Sequence, residues 1–317
     1  MQVIIFYDMI KSKKGEMSMQ YVIGDVHGCY DEMIQLVNKI EEQDKDAIIY
    51  FVGDFIDRGP KVMETLTWAM EHISLTGKYR SVRGNHEEMI LDWYKNWIFW
   101  KEWQKGAEPK THYDFYEQLK ERDLLEKEKL EPIMQFFRNL PYNRLVVVTN
   151  DEGNEVHYRI AHAWHYYDNG VSHSQEFKNY FNIWERDYLD NTGSGEVIVH
   201  GHTPNLPLTI DVVESNAWGM VNYEKKTTSI NVDGGCCYQG VVPQYPCMLC
   251  GICLETLETF YPYTLQERFE QFKEKGYILN DSKIEDYEWF SEKAIEQNEK
   301  NRKTFKFKTA YQYSNAK

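Results

Sequence analysis

Two periods of apolar residues organise the first 85 positions of the chain. Gln20–Ile23, Ala47–Val52 and Tyr79–Val82 are short, nearly continuous apolar runs, the pattern of buried strands. Between the first two, Met33, Leu36, Val37 and Ile40 fall at i, i+3, i+4 and i+7, and Met63, Leu66 and Met70 keep helical spacing in the next interval. Each interval therefore predicts an amphipathic helix with one inward face. Strand, helix, strand, helix, strand predicts an α/β architecture with right-handed crossovers. From Glu87 to about Leu140 the pattern turns helical and dense in Trp, Tyr, Lys and Glu. Trp93, Trp97, Trp100 and Trp103 mark one helical stripe, expected to pack under a cap, with a substrate-facing wall as the alternative. Strands resume at Tyr142–Thr149, Glu155–Ala161, Glu196–Val199, Thr228–Val232 and Cys247–Phe260. After Tyr263 the chain becomes charged and helical, with helices expected over Leu265–Lys275 and Ile284–Asn301. Met1–Ser18, an apolar run followed by Lys11, Lys13 and Lys14, reads as an extension outside the fold, which starts at Met19.

Composition narrows the class. The 317 residues carry 42% apolar and 15% aromatic side chains, enough for a large core in one large or two modest domains. No apolar run approaches the roughly 18 residues of a membrane span, and no signal-peptide pattern follows the first residue. The expectation is a soluble cytoplasmic protein with no membrane partner. Lys and Arg number 36 against 50 Asp and Glu, a formal charge of −14. That balance argues against a surface that grips nucleic acid, but not against a local positive pocket. Five of the six cysteines crowd into Cys236–Cys253. The spacing of Cys247, Cys250 and Cys253 admits a zinc reading, yet structural zinc draws paired ligands from separate turns. An apolar strand over Cys247–Leu254, its thiols acting as small hydrophobes, is the preferred reading.

The candidate chemistry lies at strand ends. Gly24-Asp25-Val26-His27-Gly28, Gly53-Asp54-Phe55-Ile56-Asp57-Arg58-Gly59 and Arg83-Gly84-Asn85-His86-Glu87 each follow one of the three early strands. The C-terminal edge of parallel strands is where α/β sheets place ligands, and flanking glycines permit the tight turns that aim short polar side chains at one point. Asp, His and Asn suit a divalent ion of intermediate hardness such as manganese, iron or zinc. Ile160-Ala161-His162-Ala163 and His200-Gly201-His202-Thr203-Pro204 add imidazoles after two later strands.

In order and spacing these five segments resemble the calcineurin-like metallophosphoesterases, and more narrowly their serine/threonine phosphoprotein phosphatase branch, which includes bacterial and phage enzymes and the symmetrical diadenosine tetraphosphatases. The resemblance covers roughly Met19–Tyr261. It implies a sandwich of two mixed β-sheets flanked by helices: a catalytic domain over 19–263 with a helical cap insertion at about 88–140, and a charged helical extension over 264–317. It also implies two divalent ions, manganese first, with Asp25 and His27 on one, Asn85, His162 and His202 on the other, and Asp54 bridging. Two ions about 3.5–4 Å apart would supply hydroxide near neutral pH for in-line attack on phosphorus. His86 would protonate the leaving group with Asp57 orienting its ring, and Arg58 would clamp the phosphoryl group, joined by Arg186 from the Trp184-Glu185-Arg186 pattern.

His200, His157, His165 and His173 read as structural, Arg83 as an ion-pair residue, and Asp233 as supporting the site. One departure stands out: the family usually has Gly after the His-Ala pair, where this chain has Trp164, so the rim beside the second ion should be reshaped. The leading substrate expectation is phosphoserine and phosphothreonine in proteins, with dinucleoside polyphosphates as the alternative, which the net charge mildly disfavours. A non-catalytic binding module is disfavoured because every motif residue is present. A nuclease is disfavoured because Pro204 stands where such relatives carry a second His.

Overall fold

The computed structural model describes residues 7–8, 18–103, 114–167, 173–186, 194–207, 218–224 and 228–315. Strands β1 (Tyr7–Asp8), β2 (Gln20–Ile23), β3 (Ile48–Phe51), β4 (Tyr79–Ser81), β5 (Asn143–Thr149), β6 (Glu155–Ala161), β7 (Val197–His200), β8 (Asn222–Glu224), β9 (Ser229–Asn231), β10 (Gly251–Cys253) and β11 (Thr259–Phe260) form two mixed sheets. One runs β11-β10-β2-β3-β4 and the other β1-β5-β6-β7-β9-β8. The sheets meet face to face. Val22, Tyr50, Val52 and Val82 of the first sheet share a buried cluster with Val146, Ile160, Val199 and Ile230 of the second. The alternate residues of the first sheet, Tyr21, Ile23, Ile49 and Phe51, pack instead against helices α1 (Tyr30–Gln43), α2 (Val62–His72), α3 (Asn85–Trp103), α4 (Asp114–Glu121) and α5 (Lys127–Asn139). Burial on both faces explains why these strands read as continuous apolar runs.

Register places the site. In the first sheet Ile23 pairs with Phe51 and Phe51 with Ser81, all parallel, so three strands stop at one level. In the second, Ile160 pairs with Val199 and His200 with Asn231, again in parallel. Both sheets thus deliver their strand ends, and the turns that follow, to one rim.

The early strands and helices stand where their periodicity puts them, and several later elements differ. Cys247–Phe260 is no single strand: β10 and β11 form an antiparallel hairpin, and Cys247 and Cys250 precede it. The three spaced thiols diverge, with Cys253 in the helix-facing cluster, Cys250 between the sheets and Cys247 in a third cluster, so their side chains share no centre. Strand β8 was too short and polar to register. Ile284–Asn301 opens as two 3-10 turns, and helix α8 starts only at Glu292 and runs to Asn315. Of the tryptophan stripe, Trp93 and Trp97 are buried in the cap core, while the side chains of Trp100 and Trp103 lie outside the described residues. Of Met1–Ser18, Tyr7–Asp8 pair in parallel with Leu145–Val146, and most of the remainder is outside the described residues.

The C-terminal segment packs on the sandwich. Helix α7 (Leu265–Glu274) carries a capping box from Thr264 to Glu267 and sends fully buried Arg268 to Glu32 of α1 at 2.6 Å. Phe305 of α8 reaches the cluster between the sheets. No helix among the described residues is long and apolar enough to cross a membrane.

Candidate metal centre

The turns after β2, β3 and β4 bring their polar side chains together because the backbone there is bent far from ordinary geometry. Among the described residues nine non-glycines have positive φ, and five of them are His27, Asp54, Asp57, Arg58 and His202, at 42–68°. Such conformations cost of order 1–3 kcal/mol each and persist only where the surroundings impose them. Glu87 is one such support. Its fully buried carboxylate accepts the amide N–H groups of Asp54 (2.9 Å), Phe55 (2.8 Å) and Gly84 (2.9 Å), pinning two turns to each other. Glycine is required where the turns crowd the carboxylates. A Cβ on Gly84 would lie 2.0 Å from Asp54 Oδ1, and one on Gly201 would lie 1.9 Å from Asp25 Oδ1. A Glu87→Gln variant can offer only one oxygen to these three donors. We expect it to melt at lower temperature and to hold metal about 10–100-fold more weakly, the usual cost of losing a group that orients ligands. Unchanged metal affinity in a titration would remove Glu87 from the account.

Asp54 stands at the middle. Its Oδ2 lies 3.4 Å from His27 Nε2, 3.4 Å from His162 Nε2 and 3.9 Å from His86 Nε2, and its Oδ1 accepts the His86 amide at 3.0 Å. Two groups of donor atoms each fit within 4.8 Å: His27, Asp54 and His86, and Asp25, Asp54 and His162. Asp54 belongs to both. This sorting differs from the family-derived one, since Asp25 groups with His162 and His86 joins His27. Asn85 and His202 join the second group, because Asn85 Oδ1 lies 2.8 Å from His162 Nε2 and 3.0 Å from His202 Nδ1. His27 and His162 each turn Nδ1 to a main-chain carbonyl, of Ile56 and Val52, both at 2.9 Å. That contact turns Nε2 inward, the nitrogen that would offer its lone pair to a metal.

Electrostatics sort the groups by partner. Burial works against the charged form of Asp54, but the imidazoles of His162 and His86 outweigh it and hold this carboxyl well below the usual range. Burial likewise disfavours a charged His162, yet Asp54 and Asp25 raise it to about 9. Asp25 is pushed well above the carboxylate range by burial and by neighbouring Asp233, itself raised to about 6 chiefly by burial. Burial depresses His27 and His202, working against their charged forms.

The residues fit divalent cations. His202 Nε2 is fully buried with no hydrogen-bond partner among the described residues, two imidazole nitrogens converge on one amide oxygen, and carboxylates crowd each other in a buried site. A cation relieves each of these costs. The mixed Asp, His and Asn donors suit manganese, iron or zinc.

Beside this centre, His86 Nδ1 is held by Asp57 Oδ2 at 2.6 Å, while Asp57 Oδ1 accepts the Phe115 amide at 2.8 Å from the first turn of α4. The cap insertion thereby fixes the carboxylate that orients His86, a link that no local pattern announces. Burial lowers His86, but Asp54 and Asp57 raise it overall. Arg58 Nη1 lies 2.8 Å from His27 Nε2, and Arg186 donates to Thr203 Oγ1 at 3.0 Å, next to His202. The remaining histidines face elsewhere. His200 is buried against Trp164 and 3.1 Å from Glu224, His157 is 2.9 Å from Glu155, and His173 stacks on Phe177. His165 contacts Asn182 Oδ1 at 3.1 Å, and burial lowers its pKa to about 4. Arg83 pairs with Glu88 at 2.7 Å. Trp164 is buried, its ring edge-on to His200.

The calcineurin-like phosphoesterase profile matches residues 21–233. The chain is 41% identical over 71 residues to the symmetrical bis(5'-nucleosyl)-tetraphosphatase of Escherichia coli (strain K12 / DH10B), a stretch covering 22% of this chain and 24% of that protein. The match thus spans about a quarter of the relative's length. Solved structures with similar folds include a putative diadenosine tetraphosphatase (16% identity, TM-score 0.47, covering 77% of this chain and 92% of that one). Another is a protein serine/threonine phosphatase from Saccharomyces cerevisiae (16% identity, TM-score 0.41, covering 68% and 66%).

Proposed function

The chain belongs to the calcineurin-like phosphoesterase family, and on that premise we propose that it is a metal-dependent hydrolase of phosphate esters and anhydrides. The observation that carries this reading is the position of Asp54, common to two groups of ligand atoms within 4.8 Å. Asp25, His27, Asp54, Asn85, His162 and His202 would hold two divalent ions, manganese being the first candidate. When bound, two such ions supply Lewis-acid charge and lower the pKa of a shared water towards neutrality. The protein's own groups do the rest. Arg58, and Arg186 across the rim, bind and orient the phosphoryl oxygens, a task suited to a planar guanidinium. His86 donates a proton from Nε2 to the departing oxygen. Asp57 holds Nδ1, fixing the ring and favouring its charged form.

Both substrate classes implied by the sequence can use this machinery. The 41% identity to a symmetrical bis(5'-nucleosyl)-tetraphosphatase favours the dinucleoside polyphosphate reading over the phosphoprotein one. Offered manganese with diadenosine tetraphosphate and a phosphothreonine peptide side by side, the protein should show a kcat/KM at least about tenfold higher for the dinucleotide, a gap of roughly 1.4 kcal/mol in transition-state binding. The reverse order would restore the phosphoprotein reading.

A further inference from the structure

A cavity of about 570 Å³ opens beside the metal centre, and Arg58 is where the two meet. Its inner wall follows directly from ligand segments. Cys29 and Tyr30 come just after His27, and Cys236 and Cys237 come just after Asp233, with Cys236 Sγ 3.3 Å from the Asp25 carbonyl. Its outer wall is Tyr263, Gln271, Lys275 and Tyr277, all beyond residue 233 and so outside the region that defines the family. The buried Arg268–Glu32 pair locks that wall in place, two turns of helix from Lys275.

The charge of the cavity is opposite to that of the chain. Arg58, Lys61 and Lys275 line it against Asp31 and Glu32; Lys61 and Asp31 pair with each other at 2.7 Å and Glu32 is engaged by Arg268, so Arg58 and Lys275 are the lining cations not spent on these carboxylates. Lys275 Nζ donates to the neutral amide oxygen of Gln239 at 2.9 Å. Its charge is therefore available to an anion, at the end of the cavity formed by the C-terminal segment. Tyr30, Tyr263 and Tyr277 supply flat apolar surface between the charges. A cavity with a phosphoryl-binding arginine at one end, aromatic walls and an ammonium at the other is complementary to an organic leaving group that carries its own anionic phosphate.

We propose that this cavity is the leaving-group subsite, that it takes a nucleoside phosphate, and that the C-terminal wall, through Lys275 and Tyr277, sets substrate preference. The inference rests on the phosphoesterase reading above and adds to it the residues that select the substrate. Lys275 and Tyr277 touch neither the metal ligands nor His86, so they can be changed without dismantling the centre.

The test compares Lys275→Glu and Tyr277→Ala with the parent protein, all loaded with manganese, on diadenosine tetraphosphate, a phosphothreonine peptide and p-nitrophenyl phosphate. The account expects Lys275→Glu to raise KM for the dinucleotide about tenfold or more with kcat within twofold, since a charge contact far from the scissile bond acts on binding. Tyr277→Ala should do the same more weakly. Activity on p-nitrophenyl phosphate, whose leaving group has no second anion, should stay within twofold in both variants, which also shows that they fold. ADP, carrying the anion the subsite is inferred to hold, should inhibit the parent more strongly than Lys275→Glu. Unchanged KM and unchanged ADP inhibition in both variants would overturn the subsite while leaving the hydrolase reading intact. A KM increase confined to the phosphopeptide would assign the cavity to a polypeptide and overturn the nucleotide proposal. No metal-dependent hydrolysis of any substrate would instead defeat the hydrolase reading itself.

Discussion

Replacing Asp54 with Asn should cost about 10³-fold or more in turnover, because it removes the one carboxylate that both groups of ligand atoms share. Metal-borne charge at a reacting phosphoryl is worth several kcal/mol, and each 1.36 kcal/mol is tenfold in rate. The substitution keeps size and shape but replaces a charged oxygen, 3.4 Å from both His27 and His162, with a neutral amide. Asp54, with Asp25, also raises His162. The variant should therefore bind less metal as well as turn over more slowly. The His86 amide can still be accepted by the remaining oxygen, so the turn should survive. Normal metal content with normal turnover would contradict the central place given to Asp54.

The second large effect separates proton transfer from metal binding. His86→Asn should leave the metals in place and slow hydrolysis of poor leaving groups by about 10²–10⁴, the range lost with a general acid. Its Nε2 stands 3.9 Å from Asp54 Oδ2, the longest of the three imidazole distances, and its Nδ1 is committed to Asp57. An aryl phosphate with an activated leaving group needs little protonation and should lose much less. Equal losses on alkyl and activated aryl substrates would argue against His86 as the acid. A marked drop in bound metal would instead make it a ligand, as its place beside His27 and Asp54 allows.

How much of this was legible in advance follows from the range of the interactions. The three early strands and their glycine-bounded turns could be read because each is a local pattern, an apolar run and then short polar residues between glycines. The groups that hold those turns together could not. Glu87 is part of a quoted motif, yet its work is done on amides 32 and 33 residues away. The Phe115 amide reaches Asp57 across 58 residues and has no side-chain signature at all. The Cys247–Phe260 run differs for the converse reason: its first part, Cys247–Leu254, is largely apolar because it passes through four buried clusters, although only parts of the run pair as strand. That Trp164 is buried against His200 could not be read from its position, because a side chain's direction is set by its partners in space. The net charge of −14 is no guide to the charge of the cavity. It is a sum over the whole chain, whereas the cavity beside Arg58 brings together Arg58 and Lys275 from distant segments, while its Lys61 and Asp31 pair with each other and its Glu32 is held by Arg268.

The central claim is a two-ion centre bridged by Asp54, and metal content measured alongside activity tests it most directly. Protein stripped with a chelator, then titrated with manganese while bound metal is determined by plasma mass spectrometry, should bind two ions per chain and regain hydrolysis as the second one loads. Asp54→Asn should fail to reach two at concentrations that saturate the parent. Full activity in the stripped protein, or full activity with a single ion bound, would contradict the account.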